Sequence, residues 1–156
     1  MSPPVEELAV VKAMRASAGL YAAVATVHIV GFVVLVGSAV MFDLRVLGLT
    51  KQLPVRALAR HLLPWSVAAL ALILPSGLLM FAAHADDLLG NRAFQLKMGL
   101  LLAAGMNAAI FHTGPYQSAA RWDAHAAAPA AARLSAAASI AIWIAVIACG
   151  RLLAQR

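Results

Sequence analysis

Four stretches of this chain contain no Lys, Arg, Asp or Glu: residues 16–42, 61–85, 98–120 and 134–150. About twenty apolar residues in a helix cross the hydrocarbon core of a bilayer, and the first three stretches reach that length. The fourth reaches it by running on to Leu153, with the Arg151 side chain bending its charge back toward the headgroups. Its sequence, "LSAAASIAIWIAVIACGRLL", has no turn signal to stop it. The chain therefore reads as an all-α integral membrane protein. The expected fold is a four-transmembrane-helix bundle with a short N-terminal interfacial helix. Its spans fall at about 18–42, 61–84, 96–113 and 134–153, in a single membrane domain over residues 1–156.

Composition agrees. Of 156 residues, 63% are apolar and 12% charged, about half the charged fraction of a soluble domain, so lipid must serve as solvent for much of the surface. The net charge is +6, but the twelve Lys and Arg are spread along the chain. A nucleic-acid face needs them clustered, and this spacing suits flanks beside anionic headgroups instead. The single cysteine, Cys149, excludes an internal disulfide or a CxxC metal site and reads as a space-filler in an apolar helix. The first run is too long for the core of a cleaved secretory signal, and Glu6 and Glu7 precede it.

Between the runs the connections are short. Residues 2–17 read as a helix capped by Ser2, with Pro3 and Pro4 in its first turn and Glu6 and Glu7 at the positive end of its dipole. Leu8, Val11 and Met14 give it an apolar stripe suited to the interface. The first loop holds Arg45, Lys51, Arg56 and Arg60, and the second holds Asp86 and Asp87. Gly114-Pro115 stops the third span, and the Ala-rich "HAAAPAAA" that follows reads as a loose loop or interfacial helix. The first loop is the densest basic cluster, so the positive-inside rule sets both termini on the periplasmic side of a bacterial inner membrane.

Polar groups inside spans are costly and are the first candidates for function. Here they are His28, Asn107 and His112, with Asp43, Arg45, His61, His84 and Lys97 at span boundaries. No protease zinc motif, phosphate loop, nucleophile elbow or dinucleotide fingerprint is present. Gly31 lies beside His28 on a helical wheel, and Gly105, Ala108 and Ala109 lie beside His112. Small residues there admit either a flat macrocycle or a neighbouring helix. Neutral imidazole ligates b-type haem, and helix bundles hold cofactors between facing helices. Depth along the spans pairs His28 with His84 and His61 with His112. A His28–His112 pair sharing one haem requires a shift of about two turns. A single histidine with a methionine, or with no second ligand, is the remaining arrangement. Arg45 and Lys97 are placed to meet a haem propionate or a lipid phosphate, or to anchor at the interface by snorkelling. Asn107 points away from His112 and reads as a helix–helix hydrogen bond. Pro75 and Gly77 read as a kink in the second span.

"HIVGFVVLVGSAVMFDLRVLG", "LPWSVAALALILPSGLLMF" and "NRAFQLKMGLLLAAGMNAAIFH" together resemble an uncharacterised family of small bacterial four-span inner-membrane proteins. The resemblance runs from about Ser17 to Arg151 and implies signature positions at His28, Gly31, Asp43, Arg45, Lys97, Asn107 and His112. More distantly, the first-span histidine, the Pro/Gly second span and the Lys-to-His third span are similar to small membrane protoporphyrinogen oxidases, whose first-span histidine maps to His28. They are also similar to copper-resistance membrane proteins, although no Met-rich or His-rich loop here would deliver copper.

The leading expectation is a membrane electron-transfer protein that binds haem b. His28 and His112 serve as iron ligands or quinone contacts, and a quinone or redox protein is the partner. The alternative is a non-catalytic membrane subunit or small transporter component, with the histidines packing or handling protons in a homo- or hetero-oligomer.

Overall fold

The computed structural model describes residues 9–153 and Gln155. Six α-helices and one 3-10 helix form in chain order: α1 (Ala9–Ala16), α2 (Ala18–Leu47), α3 (Val55–Ala83), α4 (Ala85–Leu89), α5 (Arg92–Thr113), the 3-10 helix (Pro115–Arg121) and α6 (Ala130–Leu153). Helices α2, α3, α5 and α6 are long and apolar enough to cross a membrane, and the protein is a multi-pass, all-helical membrane protein. Leu102 and Leu134 are each 71% exposed. Apolar surface of that kind is stable against lipid and not against water.

The spanning helices run past the charge-free stretches that announce them. α2 takes in Asp43 and Arg45, α3 begins before Arg56, and α5 begins at Arg92. Hydropathy marks where lipid ends, whereas the backbone stops at its caps. The Ser17 side chain accepts from the Leu20 N–H to open α2, and the Asn91 side chain accepts from Ala93 to open α5, as N-caps do. Gly48 closes α2 at φ 113°, a left-handed conformation that favours glycine. α3 stays helical through both Pro64 and Pro75.

α2 packs along α3, α5 along α6, and α2 against α6, while no α-carbon of α5 comes within 8 Å of α2 or α3. Two aromatic pairs bridge that wider separation. Phe81 of α3 stacks on Phe94 of α5, and Phe42 of α2 meets Phe111 of α5 edge-on, with ring centroids 5.6 Å apart in both cases.

The ends of the bundle depart from the sequence expectation in two ways. The stripe of α1 packs on protein. Val11 and Met14 are buried against Ala82 and Ala83 at the end of α3. Arg15 donates from Nε to the Ala83 carbonyl (2.9 Å) and from Nη2 to the Ala82 carbonyl (3.4 Å). Terminal carbonyls of a helix lack intrahelical donors, and Arg15 supplies them. The expected cap at Ser2, Pro3, Pro4, Glu6 and Glu7, with Leu8, lies outside the described residues. At the other end, the Ala-rich segment is a packed lid and not a loose loop. Trp122, Ala128 and Ala132 are buried in one cluster with Val46, Val55 and Phe111.

Candidate functional site

Two polar layers occupy the interior, one toward each end. The layer nearer α1 centres on His28 of α2, which is half-buried and stands 3.0 Å from Ser76 Oγ of α3 through Nδ1. Ser76 fixes the tautomer of that ring. A hydroxyl has one hydrogen, and Ser76 directs it to the carbonyls of Leu72 and Ile73 in its own helix. Ser76 Oγ is then left to accept from His28, which assigns the ring proton to Nδ1 and the lone pair to Nε2; the Ile73 backbone carbonyl is a second acceptor beside the ring. Gly77 makes room for this contact, because a Cβ there would stand 3.0 Å from His28 Cε1. Lys97 of α5 interacts electrostatically with the same imidazole and with Cys149 of α6.

Of the two roles that its spacing allows, Gly31 takes the helix-packing one. A Cβ at position 31 would stand 2.9 Å from Ile73 Cγ1 and 3.2 Å from the Ala69 carbonyl oxygen. The notch is filled by α3 and admits a helix, not a macrocycle.

The second layer lies toward the loops. Asp43 is buried, its carboxyl faces the Ser139 hydroxyl of α6, and its Oδ2 has no hydrogen-bond partner. Asn107 and Ser135 satisfy each other across α5 and α6: Asn107 Nδ2 donates to the Ser135 carbonyl (3.0 Å), and Ser135 Oγ donates to Asn107 Oδ1 (2.9 Å). The helix–helix hydrogen bond read for Asn107 is present. Arg45 neither snorkels nor faces outward. It is 1% exposed, and donates to the carbonyls of Leu53 (2.6 Å), Lys51 (3.2 Å) and Asp123 (3.0 Å). Asp123 in turn accepts the Val55 N–H at its carbonyl and the Arg56 N–H at its carboxylate. Arg45 thus stitches both loops at this end to the last turn of α2.

The four candidate histidines are not brought together. His84 packs edge-on against Tyr21, with ring centroids 5.1 Å apart. Tyr21 lies seven residues before His28 on α2, about 10 Å along the axis. The depth-matched His28–His84 pair therefore does not form. The sequence sets His84 at the end of the second span, and the structure agrees: α3 ends at Ala83 and leaves His84 exposed at its cap, outside the layer of His28. His112 is exposed, bonds through Nδ1 to the Ala108 carbonyl of its own helix (2.8 Å), and touches Phe111 and Tyr116. Those rings contact Phe42, fourteen residues beyond His28 on α2, or about 20 Å of helix. His28 and His112 therefore cannot share one iron within the chain. His61 is exposed at the start of α3 and is not among the rings that His112 touches. Among the described residues, no group of three His, Cys, Asp or Glu converges for a metal ion.

Sequence reasoning missed Ser76, Gly77, Ser139 and Asp123. "PSG" was visible as a polar and small interruption in an apolar span, and it reads as a kink unless its distance in depth from each bundle end is matched to that of His28. No curated protein and no solved structure matches the chain. The profile of one family matches residues 8–155, nearly the whole length, so the chain belongs to the Family of unknown function (DUF6644).

Proposed function

We propose that this protein is a bacterial inner-membrane electron-transfer component in which His28 would be the one residue of the chain to hold the iron of a b-type haem. The observation that carries this reading is the Ser76–His28 hydrogen bond. Ligating histidines characteristically donate their second ring N–H to a fixed acceptor, which sets the tautomer and turns the other nitrogen's lone pair to the metal. Ser76 plays that part here, and Lys97 is the cation in the same layer that would meet a propionate. His112, His84 and His61 take no part at this iron, and Arg45 is committed to the loops. Bound haem would supply one-electron chemistry, while His28, Ser76 and Lys97 hold and orient it. A quinone or a redox protein is the matching partner, and the termini lie on the periplasmic side. Likeness to the protoporphyrinogen oxidases rests on the first-span histidine, the Pro/Gly second span and the Lys-to-His third span, and it supports no substrate.

A second reading has its own observation. The notch at Gly31 is filled by α3, so His28–Ser76 also serves as an interhelical clamp, as in a non-catalytic subunit or small transporter component. The visible spectrum of detergent-purified protein from haem-supplemented cells, oxidised and dithionite-reduced, separates the two. The haem reading predicts the α band of a reduced b-type centre, lost in His28→Ala and retained in His112→Ala. A colourless wild type, or a band that survives His28→Ala, leaves the clamp reading.

A further inference from the structure

Among the described buried side-chain nitrogens and oxygens, Asp43 Oδ2 alone lacks a hydrogen-bond partner. The residue is 8% exposed and sits in the last turns of α2. Across the bundle its carboxyl meets the Ser139 hydroxyl of α6. Arg45, two residues on, is directed to the carbonyls of Leu53, Lys51 and Asp123 and does not neutralise it. The other titratable or charged groups at this end are engaged elsewhere or face outward. His112 is exposed and bonded to its own helix, and Tyr116 packs against Phe42, Phe111 and His112. Arg56 and Arg133 are exposed, and Asp123 accepts from the Arg56 and Val55 N–H groups. No hydrogen bond or ion pair joins any of them to Asp43. A carboxylate in an apolar interior with neither cation nor full donor set is strongly disfavoured, and a buried group left without a partner in a membrane span is a default candidate for function.

We propose that Asp43 is a proton-binding and proton-exchange site within the membrane-spanning bundle, separate from the His28 layer. The step is Asp43 Oδ2–H giving H⁺ to water at the loop end, and taking one back. No electron is transferred, no other bond changes, and Ser139 remains as donor to the carboxyl in its charged form. The location suits exchange with that end, since Asp43 lies five residues before Gly48, where α2 stops, or about one and a half turns. The assignment stands independently of haem binding.

Dicyclohexylcarbodiimide, an apolar reagent that adds to protonated carboxyls, tests this on the full chain in detergent, with the adduct located by peptide mass spectrometry. The expected result is an adduct at Asp43, absent in Asp43→Asn, whose rate falls about tenfold per pH unit on the alkaline side. A wild type with no adduct at Asp43 at any pH overturns the proposal. Protection by sodium but not choline at fixed pH and ionic strength also overturns it, in favour of a metal-cation site. Thermal unfolding supplies a second readout that needs no labelling. A proton bound in the folded state and released on unfolding makes stability rise as pH falls, so the melting midpoint of the wild type should decline with rising pH relative to Asp43→Asn. A difference that does not change with pH contradicts the proposal.

Discussion

Arg45→Ala is expected to lower the stability of the detergent-solubilised protein by about 2–4 kcal/mol, the first of two large effects expected from single substitutions. Hydrogen bonds from a charged donor contribute roughly 1.5–3 kcal/mol each, and acceptors left without a donor carry a desolvation cost. Arg45 makes three such bonds, and two of the acceptors retain a second donor: Lys51 O accepts from His125, and Asp123 O from Val55. The loss is therefore less than the three-bond sum. Arg45→Lys should recover little, because one ammonium on a flexible stem does not reproduce donation from Nε and Nη2 in a fixed fork. The readouts are the thermal midpoint and trypsin cleavage after the exposed Lys51, which should accelerate in both variants. An Arg45→Lys protein as stable as the wild type would show that the charge at this position matters and the fork does not.

Gly31→Ala is the second. Its Cβ meets Ile73 Cγ1 at 2.9 Å, the Ala69 carbonyl oxygen at 3.2 Å and Leu72 Cβ at 3.2 Å. The backbone oxygen cannot turn aside, so α2 and α3 must separate. Overpacking of this kind costs about 1–3 kcal/mol, and Gly31→Leu should cost more. Gly37→Ala is the matched control: nothing lies within 4 Å of a Cβ at position 37, and its effect should stay within about 0.5 kcal/mol. Steric-trap or thermal unfolding of the three variants measures the ranking. Equal effects at positions 31 and 37 would mean that α2 and α3 are not in contact at Gly31.

The number of spans and their rough limits were legible because lipid imposes a length on apolar runs, and four runs of that length leave little choice. The reach of each helix beyond its run was not legible, since Asp43 and Arg45 continue α2 on caps and loop contacts that hydropathy does not register. Asn107 was readable as a helix–helix bond because an amide facing away from its neighbours on one helix needs a partner on another. The partners of His28 were not. Ser76 is 48 residues away, and its role depends on a hydroxyl hydrogen used within its own helix. Arg45 was misread for the opposite reason. An arginine at a span boundary usually snorkels, and only the carbonyls of two loops, brought to it by the fold, turn it inward. The His28–His84 match failed because depth was counted from the limits of the apolar runs, whereas α2 begins at Ala18 and His84 caps α3 level with Tyr21, about two turns from His28.

The most direct test of the account is the protonation of His28 itself, the fact on which its ligand role rests. Nitrogen-15 NMR of histidine-labelled protein purified without added haem, with His28→Ala used to assign its signals, distinguishes the two neutral tautomers. The account predicts a protonated Nδ1 and a free Nε2 for His28, with that preference weakened in Ser76→Ala. A His28 ring protonated at Nε2 in the wild type would contradict it.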